Sequence, residues 1–512
     1  MHKRIQRVTY VKFALVGVSL CFGFLTQLDE TNAQSSQDDV ANLSWQPGAI
    51  QHAQKMRMFP NSDNGQQPTP PVIPQFEQDF DSFGLIGTYQ PSGSTVTSQN
   101  PFFQSLGTNE RTCFTCHQPQ NGWTVSAASV QARFYASFGQ DPIFRLVDGA
   151  VCPSADVSSF TAKLNAYSLV MSKGLIRIGL AMPANTQFSV TTVNDPYNCN
   201  TNPVTGLTSP TTGIVSIYRR PLPSTNLGFL TAIMWDGREP SLATQAVNAT
   251  LIHAQAAAAP TAAQQTQIVN FESGVFAAQE IDFGSGALDA NGGEGGPVQL
   301  QKQLASFYVG INDPLGHNPQ NIPFTSTVFT IYSYWENLLG NPSLSQRHAS
   351  IARGERVFNT VPINITGVTG LNDVLGQPSI AGFCGTCHDT PNVGHHSVKL
   401  PLNIGIANAG ANSPPALDIS GLPVFTLQCN SGPLSGQTFT VTDPGRALIS
   451  GNCADIGKVK GPILRGLAAR APYFHNGSAA TLTDVVEFYD ERFNIGLTPQ
   501  QKLDLAAFLS TL

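Results

Sequence analysis

Charge is scarce in this chain. Asp, Glu, Lys and Arg make up 12 % of its 512 residues and the net charge is -6, where about a quarter of residues are charged in ordinary globular proteins. So mildly acidic a chain gives no reason to expect a nucleic acid partner. Methionine is scarcer still: Met234 is the last of six, so the C-terminal half can offer no thioether ligand. No histidine lies between His117 and His253. Beyond the first 33 residues no apolar run approaches the roughly 20 residues of a membrane span.

The N-terminus has the pattern of an export signal. Lys3, Arg4, Arg7 and Lys12 precede or flank the start of the apolar run FALVGVSLCFGFL, and TNA stands before Gln34. Basic start, short apolar run and small residues in that order predict cleavage after residue 33. The mature chain is then periplasmic or secreted, with no stable membrane insertion. Its loss of four basic and two acidic residues moves the net charge from -6 to -8.

Nine cysteines remain to be explained. Cys21 leaves with the leader, four stand in two repeated motifs, and Cys152, Cys199, Cys429 and Cys453 are left over. An even remainder in an exported chain predicts two disulfides, paired locally as Cys152 with Cys199 and Cys429 with Cys453.

The repeated motifs are TCFTCH at 112–117 and FCGTCH at 383–388. Cys-x-x-Cys-His is the attachment signature of c-type haem. Both thiols add to the two vinyl groups of one porphyrin, and the adjacent histidine is held under the iron. A redox dithiol has no use for that histidine, and zinc pairs usually lie closer together. Two haems c are therefore expected, on Cys113 and Cys116 with His117, and on Cys384 and Cys387 with His388.

Length predicts more than one domain. Residues 34–100, rich in Gln, Pro, Ser and Asn, read as an extended arm. Residues 101–335 form a first haem domain with an insertion at 118–230, where YSLVMSKGLIRIGLAMP and FSVTTV suggest a β-hairpin. Residues 336–512 form a second. STVFTIYSYWENLLG reads as helical, and the next helix carries Ile351, Val357 and Phe358, with Ser343 placed to cap it. TLTDVVEFYDERF and QQKLDLAAFLSTL close the chain as two helices. The fold expected is mainly α, with two cytochrome-c-like domains face to face.

Three further stretches carry a resemblance: AIMWDGREPSLATQA (232–246), ARGERVFN (352–359) and VKGPILRGLAARAPYFHNGSAATLTDVVEFYD (459–490). Together with the two Cys-x-x-Cys-His motifs, and in the same order, they resemble the bacterial di-haem cytochrome c peroxidase and MauG-like superfamily over residues 105–512. The arm and the insertions at 118–230 and 400–455 are not covered. The resemblance implies that the His117 haem reacts with peroxide or O2 and that the His388 haem is low-spin. It also implies that Trp235 lies between them and that a calcium ion sits between the domains.

For the second haem, the resemblance places Tyr489 where the peroxidases carry methionine and MauG-like proteins carry tyrosine. A phenolate donor lowers the potential. His395 and His396 compete with it, and Tyr489 as a packing residue is the other alternative. His475 is expected to hydrogen-bond near this haem.

For the first haem, many di-haem peroxidases of the family supply a displaceable histidine from the loop after the motif; none follows His117 before His253 here, so the resemblance implies an open iron. The family cleaves peroxide with a Gln and a Glu. Gln245 matches the Gln, but Gln255 stands where the Glu belongs, and an amide cannot shuttle a proton. His253 either replaces the carboxylate or is a histidine packed on a helix face.

A MauG-like oxidoreductase, oxidising a protein or organic substrate, is the leading expectation. The alternatives are a peroxidase fed by a small cytochrome, a di-haem oxygenase resembling the rubber oxygenases, and a two-haem electron carrier.

Overall fold

The computed structural model describes residues 68–200, 214–342 and 344–512. With 46 glycines and 36 prolines in the chain, regular elements are short, because proline removes a ladder donor and glycine favours turns. Helices take about 30 % of the chain, and five small sheets lie among the described residues. The mainly α expectation is thus met only in part. Helices surround the haem motifs, while strands and loops fill the intervals between them. The leader falls outside the described residues, and no described helix is long and apolar enough to cross a membrane.

The end of the N-terminal arm is built into the fold rather than left as a linker. Strand Gly84–Tyr89 lies between Phe76–Phe80 and Phe276–Asp282 in an antiparallel sheet. From it, Ile86 packs into the cluster around Trp123, and Thr88 Oγ1 accepts the Trp123 indole N–H at 2.9 Å.

The expected hairpin does not form. Ile176–Ala181 pairs with Ile214–Arg219, whereas Phe188–Asn194 pairs with Val424–Cys429 from the other half of the chain. Backbone bonds decide this. The Gln187 N–H donates to Gly451 O and its carbonyl accepts from Asn430 N, which commits the strand to the distant segment. Both expected disulfides are present, Cys152–Cys199 and Cys429–Cys453. The two insertions share one core, where Phe188, Val215 and Ile217 meet Phe425, Leu427 and Val441.

STVFTIYSYWENLLG is helical only over Ser333–Glu336. Side chains capture the amides that a longer helix would need. Asn359 Oδ1 accepts from the N–H groups of Val328 and Phe329, Asn392 from Thr330, and Glu355 from Tyr332. The following helix, Gln346–Thr360, buries Ile351, Val357 and Phe358 as expected and is capped by Ser345. Ser343 lies outside the described residues.

One unit occurs twice. Isolated bridges Ile233↔Glu239 and Tyr473↔Ala479 close two tight turns. Met234 and Gly237 take positive φ in the first, Phe474 and Gly477 in the second. Ser241 with Thr244, and Thr481 with Asp484, then form capping boxes on helices α1 (Leu242–Ile252) and α3 (Leu482–Phe493). Each of these positions is displaced by 240 residues. A second helix follows in each copy: α2 (Ala262–Gly274), boxed by Thr261 and Gln264, and α4 (Pro499–Leu509), boxed by Thr498 and Gln501.

Candidate functional site

Both Cys-x-x-Cys-His motifs fold the same way. Each opens in one 3-10 turn, Cys113–Thr115 or Cys384–Thr386. The threonine hydroxyl accepts the N–H of the residue before the first cysteine. The histidine N–H then reaches back to the first cysteine's carbonyl, at 3.0 Å for His117 and 3.1 Å for His388. Six residues downstream a carbonyl accepts each ring's Nδ1–H: Trp123 O at 2.9 Å and Gly394 O at 2.8 Å. That bond fixes the tautomer and leaves Nε2 as the ligand atom. Burial pulls both imidazoles down to about 4, so they stay neutral, as a metal ligand must.

The four thiols are not disulfide-bonded. Burial raises all of them, Cys384 and Cys387 to about 12. A redox dithiol needs the opposite, a stabilised thiolate. The two pairs also line separate cavities, and among the described residues no three His, Cys, Asp or Glu side chains gather as a metal cluster. These features favour covalent attachment of a large apolar group over thiol exchange or zinc.

The first cavity, about 1600 Å³ including its mouth, holds Cys113, Cys116 and His117; the second, about 1700 Å³, holds Cys384, Cys387 and His388. They share a wall. Arg220, Trp235, Lys460 and Arg470 line both. Trp235 is 8 % exposed, donates its indole N–H to Arg220 O at 2.7 Å, and stands edge-on to His475 with ring centres 6.1 Å apart.

The cations of this wall are buried without carboxylates. Arg220 and Arg470 bond to backbone carbonyls, and Lys460 Nζ to Ala232 O. Burial pulls Arg470 down to about 10, and burial with repulsion from Arg470 pulls Arg220 to about 9 and Lys460 to about 7. Arg465, on the first cavity, is likewise lowered to about 10 by burial, and its Nε has no partner. Four unpaired buried cations are costly alone. They fit a ligand that brings carboxylates, as the propionates of haem do.

Beside the wall the charges are paired. Arg219 bridges Asp236 at 2.5 Å and Asp443 at 2.7 Å, and Arg238 also reaches Asp236.

Tyr489, His396 and His475 all line the second cavity; His395 does not. The Tyr489 ring stands 6.4 Å from that of His388 at 71°. His396 Nδ1 is 3.1 Å from Asp389, and His475 Nε2 is 3.6 Å from Asp443. In the first cavity, Gln245 and His253 lie on the lining and Gln255 does not. Gln255 takes positive φ, and its side chain accepts from Asn109.

Ala249 escaped the sequence reading. It lies on α1 at the place that Tyr489 holds on α3, and it lines the first cavity. The shared wall was missed too, although Lys460, Arg465 and Arg470 lie inside the stretch that carried the resemblance. Asp148 has no local signal at all.

A chain with such paired attachment motifs, buried neutral histidines and cation-lined cavities is a c-type haem protein. No family model matches it. It is 40 % identical over 81 residues to cytochrome-c peroxidase IdrP1 of Denitromonas iodatirespirans, covering 14 % of this chain and 22 % of that one. It is 35 % identical over 99 residues to cytochrome c551 peroxidase of Nitrosomonas europaea, covering 17 % and 30 %. The matched stretch thus spans less than a third of these relatives' lengths. A MauG-like protein associated with microbial copper homeostasis is similar over 59 % of this chain and 75 % of its own, at 18 % identity and a TM-score of 0.28. Over these short stretches, with the two attachment motifs beside them, the chain is similar to bacterial cytochrome c peroxidases.

Proposed function

We propose that the chain is a periplasmic di-haem oxidoreductase, with haem domains 101–335 and 336–512, that reacts with peroxide or O2 in the first cavity and oxidises a protein or organic substrate. The observation that carries this reading is the pair Ala249 and Tyr489. In the second copy of the repeated unit a phenol faces His388 across the cavity; in the first copy a methyl group stands in its place. With haem bound, Tyr489 would offer the second site a sixth ligand, and the first would have none.

Bound in these cavities, haem supplies a redox centre that can take a small oxidant and pass on its oxidising power. The chain's own residues do the rest. His117 and His388 offer Nε2, with their other nitrogen held by a carbonyl. Arg220, Lys460, Arg465 and Arg470 receive the propionates. Trp235 fills the wall between the two sites, where an indole is an oxidisable bridge.

A peroxidase drawing electrons from a small cytochrome is the second reading, favoured by the names of the curated relatives. Tyr489 weighs against it, because a hard anionic ligand lowers the potential. Peroxide added at one equivalent to the diferric protein separates the two. Oxidising equivalents that persist on the protein for seconds without a donor support the MauG-like reading. Turnover sustained only by a reduced cytochrome contradicts it. Label from 18O2 recovered in an organic product would instead point to an oxygenase.

A further inference from the structure

The reactive cavity needs a group that moves a proton. Gln255 stands where the resemblance implies a carboxylate after α1, and Glu272 of α2, which does line the cavity, is kept protonated by burial. His253, which caps α1, lies on the cavity lining instead. Its surroundings separate a catalytic histidine from a packed one.

The His253 Nδ1–H donates to Asp148 Oδ2 at 2.5 Å. Asp148 is buried at 2 % exposure and is paired through its other oxygen with Arg111. Burial alone would raise that carboxyl, but Arg111 and His253 outweigh it and hold Asp148 below its usual range. Arg111 is fixed in turn: Nε donates to Pro142 O and Nη2 to Ile143 O, both at 2.7 Å. Arg111 Nη1 and Asn109 Nδ2 also donate to the His253 carbonyl, at 3.3 and 2.8 Å. The imidazole is therefore held by ring and backbone together. Among the described residues its Nε2 has no hydrogen-bond partner, and the His253, Asp148 and Arg111 side chains line the first cavity.

The repeat makes the contrast clear. On α3 the residue at the His253 position is Phe493, buried and stacked on Tyr489 at 6.3 Å. Where the second cavity carries Tyr and Phe, the first carries Ala and His. The change both clears the site and supplies a base.

We propose that Asp148 and Arg111 orient His253 as the acid–base group of the first cavity, so that the insertion at 118–230 completes the reactive site. This rests on the reading of that cavity as the peroxide-reactive one. With haem bound, His253 Nε2 would take the proton from one oxygen of peroxide in this cavity and return it to the other, which would leave as water as the O–O bond breaks. The haem and the side chains around it would supply the two electrons required. Asp148 and Arg111 touch neither peroxide nor iron; they are positioning residues.

Stopped-flow association of hydrogen cyanide, which must also lose a proton to bind, tests this on the haem-loaded protein beside peroxide. His253→Gln should slow both reactions by about 10²–10⁴-fold. Asp148→Asn should slow both by about tenfold or more while the ferric spectra of both haems stay as in the wild type. His253→Glu should recover part of the loss, which a purely structural role would not allow. His253→Gln leaves the Arg111–Asp148 pair intact, so a folding failure of Asp148→Asn does not remove the test. Wild-type rates in His253→Gln overturn the inference and leave the open site standing. A wild-type protein that ignores both reagents overturns the open site and the inference with it.

Discussion

Ala249 and Tyr489 occupy the same position in two copies of one turn-and-helix unit, each pointing its helix at a cavity that holds a Cys-x-x-Cys-His motif. The difference between a methyl group and a phenol at that position sets the two sites apart. A sixth ligand placed in the first copy should therefore close it. Ala249→Tyr should convert the open haem to low spin and slow its reaction with peroxide about 100-fold, if about 1 % of the iron stays open. Optical and stopped-flow measurements on the holoprotein check this.

Tyr489→Phe should do the reverse in the second cavity. Its ring packs among Phe474, Phe488 and Phe493, so removing the oxygen keeps the core and takes away only the donor. The low-spin signal of that haem should be lost. Tyr489→Met should restore a low-spin haem whose potential is higher by on the order of 0.1 V, within the roughly 0.8 V that axial ligands span. Redox titration measures it.

Arg219 joins Asp236 of the first turn to Asp443, which faces His475 of the second. Arg219→Met leaves the buried Asp443 without its arginine and Asp236 with Arg238 alone, and breaking such a buried pair costs about 3–5 kcal/mol. Denaturant unfolding should show a loss of that size. Arg238→Met should cost far less, since Arg219 remains on Asp236.

Glu272 lines the first cavity with no hydrogen-bond partner for Oε2, and burial pushes its carboxyl up to about 8. The folded protein then holds a proton that the unfolded chain releases near pH 4.5. The contribution is fully present below about pH 4.5 and is lost as pH rises through 8. Glu272→Gln should leave stability unchanged at pH 4 and raise it by a few kcal/mol at pH 8. Thermal unfolding at the two pH values gives the answer.

Much of the chemistry was legible before the fold. The two motifs, the disulfide pairing and the C-terminal helices depend on local spacing, which a sequence displays. The strand exchange of Phe188–Asn194 was not, because its partner lies some 240 residues away and its own alternation fits either pairing. The helix expected over Ser326–Gly340 failed for a related reason: Asn359, Asn392 and Glu355, all distant, take its amides. Asp148 could not be tied to His253 without the fold. The repeat itself was hidden because its copies share turn geometry and caps more than residues. Trp235 answers to His475, and Ala249 to Tyr489.

The EPR spectrum of the as-isolated diferric protein measures directly whether one haem is open and the other closed. One high-spin and one low-spin ferric signal are expected, with the low-spin signal lost in Tyr489→Phe and the high-spin signal lost in Ala249→Tyr. Two low-spin signals in the wild type, unchanged by Tyr489→Phe, would contradict this reading.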